Sequence, residues 1–145
     1  MLGVVAHRMD ITHYKQLPDG MDAEDVAMEF ERLLSEAEQP GVLCVPVAEA
    51  FWELANRQWH TYELLRPDLR LRVVRWLKQH WLPNPEFIRW VGGIAGNLGL
   101  AALIPLLERT ASEFSAVEFG RQIQETLREI GPHIDDPYWR MRPGK

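Results

Sequence analysis

The chain has 145 residues, of which 46% are hydrophobic and 26% charged, with a formal net charge of -5. A chain of this length and composition buries a sizeable core without staples, which excludes a disordered chain and a disulfide-built miniprotein. Cys44 is its single cysteine, so an intramolecular disulfide and a cysteine-built zinc site are excluded as well. The opening residues lack the charged lead-in and apolar stretch of a secretory signal, and a cytoplasmic protein is expected.

Residues 1–20 read as an N-terminal arm or a short extra element. They hold a brief apolar piece and the turn signal Leu17, Pro18, Asp19, Gly20. Residues 21–131 read as one helical domain. Asp22 is placed to cap a first helix whose Val26, Phe30, Leu33, Leu34 and Ala37 share one face, with acids gathered at its start. Pro40 and Gly41 end it. Pro46 is suited to start a second helix, with Val47, Phe51, Leu54, Ala55 and Tyr62 as its buried stripe as far as Leu65. A third, over residues 68–81, is expected to bury Leu69, Val73, Trp76, Leu77 and Trp81, leaving Asp68, Arg72, Arg75 and Gln79 outside.

Asn84 followed by Pro85 is a cap-then-proline start for a fourth helix ending at Leu98. A fifth follows from about Ala102, with Pro105 in its first turn. Residues 115–118 (SAVE) spell a capping box for a sixth, closing at Gly131. Residues 132–145 read as an extended tail packed through Tyr138 and Trp139. Residues 90–107 carry no charge and contain Gly92 and Gly96 at the spacing of packed membrane helices. The glycines, Asn97 and Pro105 interrupt the run, so two buried helices meeting at a turn are expected instead of a membrane span.

One helical unit is written twice. FIRWVGGIAGNLG (87–99) and FGRQIQETLREIG (119–131) share a Phe, an Arg two later, a β-branched residue four later and a closing apolar-Gly pair. Each copy is expected to stop at a glycine in the left-handed cap position. The intervening stretch, with Leu98, Gly99, Ala102, Ile104, Pro105, Leu106 and Leu107, is similar to the helix junction of HEAT-like repeats. The resemblance covers about 48 residues, 84–131. It implies a short α-α superhelix, or else an irregular helical bundle, that binds macromolecules instead of performing a reaction. The fold class expected is therefore all-α, about six helices in antiparallel hairpins.

Charge is distributed unevenly. Residues 19–38 hold eight acids against Arg32, and residues 57–89 hold seven basic side chains against three acids. The plainest reading is solvated helix faces that partly pair with one another. A sharper reading gives Glu24, Asp25, Glu29 and Glu31 to a surface for a basic partner, with Arg72, Arg75 and Trp81 as further contacts. That points to a non-enzymatic protein-binding module of the inhibitor or immunity (antitoxin) kind, its partner a basic enzyme or toxin. The alternative is a nucleic-acid-associated helical protein using Arg72, Arg75, Arg89 and the tryptophans of residues 57–90. The acidic net charge counts against it.

Chemistry finds no motif. The five histidines are scattered, no nucleophile elbow or phosphate loop is spelled, and Cys44 lies in an apolar run. His133 with Asp135 and Asp136 is read as a solvated turn rather than a metal site. No cofactor, metal or catalytic residue is assigned, and the glycines at 92, 93, 96 and 99 are assigned to close helix packing.

Overall fold

Local signals decide most of the helix boundaries. In the computed structural model, which describes residues 9–138, six helices fill the span where six were read: α2 (Ala23–Ala37), α3 (Cys44–Trp59), α4 (Pro67–Gln79), α5 (Pro85–Leu98), α6 (Ile104–Glu113) and α7 (Glu118–Ile130). A short α1 (Ile11–Lys15) precedes them, and 3-10 turns lead into α6 and out of α7. Among the described residues there is no strand. The fold is all-α.

The core is organised on α3, which packs closely against α1, α2 and α5. Ala48, Ala50 and Ala55 keep its surface low enough for neighbours to approach, while Phe51 and Leu54 fill the space between them. Phe51 lies 6.4 Å from Phe30 of α2 and 5.6 Å from Trp76 of α4, ring centre to ring centre. The Trp76 indole N–H donates to the carbonyl of Ala37 at 3.0 Å, so this large ring is buried with its polar atom satisfied. All five residues read onto the α2 stripe are buried.

α5 begins as its sequence dictates. The Asn84 side-chain oxygen accepts from the backbone N–H of Glu86 at 2.9 Å and of Phe87 at 3.0 Å, and Pro85 occupies the first turn, where its missing N–H costs nothing. It ends at Gly99, whose φ of 70° only glycine adopts without strain. The glycines within α5 serve close packing. A Cβ on Gly92 would stand 3.0 Å from the Thr126 methyl, and one on Gly96 3.1 Å from Ile130. Because these contacts follow the same order along both helices, α5 and α7 run parallel and touch directly.

Several expectations are corrected. α3 starts at Cys44 and stops at Trp59, six residues before Leu65. Beyond it the Thr61 hydroxyl donates to the carbonyl of Gln58 at 2.7 Å, and the Gln58 amide donates to the carbonyl of Glu63 at 2.6 Å, so the backbone turns out of the helix. Tyr62 consequently has φ 61° and is exposed, off the buried stripe. The capping box does not form. Val117 caps α7 without a side-chain hydrogen bond, and Ser115 belongs to the turn closing α6. Gly120 must lie flat on the carbonyl of Phe114, which sets where α7 begins.

Gly131 has φ -57°, not the left-handed value expected of the second copy. Lacking a Cβ, it tolerates this helical conformation ahead of Pro132 and carries the chain into a 3-10 turn. Residues 134–138 then turn instead of extending, as Asp136 N–H reaches back to the carbonyl of His133 at 2.9 Å. Tyr138 does pack, 5.8 Å from Trp59. Trp139 lies outside the described residues. No helix is long and apolar enough to cross a membrane among the described residues.

Candidate functional site

The acids of α2 divide into two groups. Glu29 accepts from the His13 ring nitrogen at 2.9 Å, Glu31 lies 3.6 Å from Arg66, and Glu38 accepts from Arg72 at 3.0 Å. Glu36 accepts from the buried Tyr14 hydroxyl at 2.8 Å. The acidic helix and the basic α4 thus pair with one another across their contact. Asp68 also binds Arg66, and that hydrogen bond draws its carboxyl below the usual range while holding Arg66 above its own.

At the start of α2 the situation differs. Asp22, Glu24 and Asp25 are exposed and, among the described residues, make no ion pair. They stand at the helix end whose unsatisfied N–H groups already favour negative charge. Beside them lies a shallow recess of about 350 Å³ lined by Pro18, Met21, Asp22, Asp25, Met28 and Glu29. Met28 is 62% exposed, an unbranched apolar side chain able to adapt to a partner.

The basic set is dispersed. Arg57 is buried and bonded to Glu53 and to the carbonyls of Lys15 and Leu17. Arg72 is held by Glu38, whereas Arg75 and Lys78 are exposed on α4. Trp81 is half-buried, its indole N–H donating to the Thr110 hydroxyl at 3.1 Å and its ring edge-on to Phe87. Trp59 donates to the carbonyl of Pro137 at 3.0 Å. Trp90 lies against Trp52 at 4.9 Å with the Arg89 guanidinium over its ring at 4.9 Å. The structure therefore brings Glu24 and Asp25 together on an open surface, but not with Arg72, Arg75 and Trp81.

Cys44 is half-buried in the first turn of α3, and burial pushes its thiol up, away from the reactive thiolate. Among the described residues no three His, Cys, Asp or Glu side chains are grouped to hold a metal. One feature escaped the sequence reading, a groove of about 580 Å³ between α5 and α7. Gly92 and Gly96 signalled the close approach of some helix to α5, but nothing in the residues named α7 as that helix. No family model, no curated protein and no solved structure matches this chain.

Proposed function

We propose that this protein is a non-enzymatic protein-binding module that covers a basic partner, in the manner of an inhibitor or immunity protein, through the N-terminal end of α2. The observation that carries this is the exposed trio Asp22, Glu24 and Asp25 beside the recess lined by Met21 and Met28. Unpaired carboxylates steer a cationic surface toward them, and the methionines supply apolar contact once it arrives. Glu29 and Glu31 have a smaller share in this surface, because His13 and Arg66 already engage them. A cytoplasmic setting agrees with the single thiol. The parallel contact of α5 with α7 supports a HEAT-like relation between those two helices.

The experiment is capture from a native lysate on wild-type protein and on an Asp22→Asn, Glu24→Gln, Asp25→Asn variant, with kinetics on whatever is recovered. One basic protein should be held by the wild type and associate roughly tenfold more slowly with the variant, the difference shrinking as salt is added. Equal association rates, or recovery of nucleic acid in place of protein, would remove the reading.

A further inference from the structure

The groove between α5 and α7 carries an inference of its own. Gly92 and Gly96 bring the C-terminal halves of the two helices into contact with Thr126 and Ile130. Toward Pro85 and Phe119 the helices part, and the fully buried Leu107 of α6 closes the floor between Ile88 and Ile123. The result is a trough of about 580 Å³ with an apolar floor and polar walls. Its rim carries the exposed carboxylates of Glu86 on one side and Glu125 on the other. The single cation of the lining, Arg89, has its guanidinium over the Trp90 ring at 4.9 Å.

We propose that this trough is a docking site for the apolar face of a basic amphipathic helix supplied by another protein. The two carboxylates of Glu86 and Glu125 over an apolar floor complement a helix with Lys or Arg flanking an apolar stripe, and a stripe of that kind inserts side chains at i, i+4 and i+7. The α5 wall, residues 85–92, spans about 10 Å at 1.5 Å per residue, which is the distance such anchors cover. Helical walls present no unpaired strand edge, so an extended peptide gains no backbone pairing here. The site uses none of the α2 carboxylates and stands or falls separately from them.

The test is nitrogen-proton NMR of the whole chain, titrated with a 16-residue peptide that carries leucines at i, i+4, i+7 and i+11 and lysines elsewhere on an alanine background. A second peptide with glutamate for every lysine is the control. The expected result is shift changes in residues 86–92 and 119–126 with the lysine peptide and none with the glutamate peptide. A Glu86→Gln, Glu125→Gln variant, exposed at both positions and not expected to disturb folding, should bind roughly fivefold to tenfold more weakly. An Asp22→Asn, Glu24→Gln variant should bind as the wild type does. Four outcomes overturn the proposal. They are no shifts at millimolar peptide, equal response to both peptides, shifts confined to α2, and groove shifts that follow protein concentration without peptide, which would make a second copy the occupant. The third would leave the α2 reading standing.

Discussion

Arg57 of α3 donates to the backbone carbonyl of Leu17 at 2.8 Å, from forty residues away in sequence. The same guanidinium reaches the carbonyl of Lys15 at 3.3 Å and the Glu53 carboxylate one turn back on its own helix. These carbonyls lie at the end of α1 and just beyond it, so a buried charge holds the N-terminal element on the body, together with Tyr14, which is 1% exposed. Arg57→Ala would leave Glu53 and the two carbonyls without that partner, and a loss of about 3 kcal/mol is expected. Arg57→Lys keeps the charge but lacks the planar fork, so it should recover only part. Urea unfolding of the two variants checks the order; a loss under about 0.5 kcal/mol for Arg57→Ala would mean that α1 docks without it.

Three glycines should respond to alanine in a fixed order. At Gly120 the new Cβ would lie 2.1 Å from the carbonyl oxygen of Phe114, a backbone atom that cannot move without shifting the α6–α7 turn. Gly120→Ala is expected to cost about 3 kcal/mol. At Gly93 the obstacle is the Trp52 ring at 2.6 Å, a half-buried side chain that can yield, and the helix gains about 1 kcal/mol from alanine. A net loss near 1 kcal/mol should remain, with a change in tryptophan fluorescence as Trp52 leaves Trp90. Nothing lies within 4 Å at Gly20, so Gly20→Ala should fall within about 0.5 kcal/mol of wild type. Thermal melts of the three variants would rank them, and equal losses would contradict the packing described.

What the sequence made legible was whatever depends on neighbours along the chain. The α2 stripe from Val26 to Ala37 needs only helical spacing, and Asn84, Pro85 and Gly99 act on backbone groups within a few residues. Contacts between distant segments were not legible. The end of α3 depends on Gln58, Thr61 and Glu63 closing a knot against Tyr138, and helical spacing alone ran past it to Tyr62. The capping box matched its pattern in residue type, yet Gly120 needed the carbonyl of Phe114. The same applies to the charged surfaces. Opposite charges on α2 and α4 could be counted, but the pairing of Arg72 with Glu38 and Arg66 with Glu31 required the two helices to be placed side by side.

Trp81 offers a direct way to separate a structural tie from a partner contact. Its indole N–H meets the hydroxyl of Thr110, which is 2% exposed and itself donates to the carbonyl of Leu106 at 2.9 Å. Trp81→Phe keeps a ring against Phe87 while removing that donor and the second ring of the indole. The variant should lose about 2 kcal/mol of stability in urea unfolding, from one such bond and the packing of the lost ring together. Binding of a basic partner to the α2 end should be unchanged. Unaltered stability together with weakened binding would instead place Trp81 in the interface.

Tyr14 makes the stability of the protein fall in alkali. Burial raises its phenol well above the ordinary value, and the hydrogen bond to Glu36 adds to this, since a phenolate would face that carboxylate and, farther off, Glu29, with Arg32 opposing. A raised folded value means the stabilisation is present in full below about pH 10, where the unfolded chain also keeps its proton. Above that the unfolded state alone releases the proton, so folding loses about 1.4 kcal/mol per further pH unit from this residue. Tyr14→Phe removes both the hydrogen bond and the titration. The variant should be about 1 kcal/mol less stable than wild type at pH 8, and the gap should close near pH 11 because only the wild type carries this loss. Urea unfolding of both proteins at pH 8, 9, 10 and 11 measures it. Parallel curves across that range would show that Tyr14 ionises in the folded protein as readily as in the unfolded chain, contrary to its burial beside Glu36.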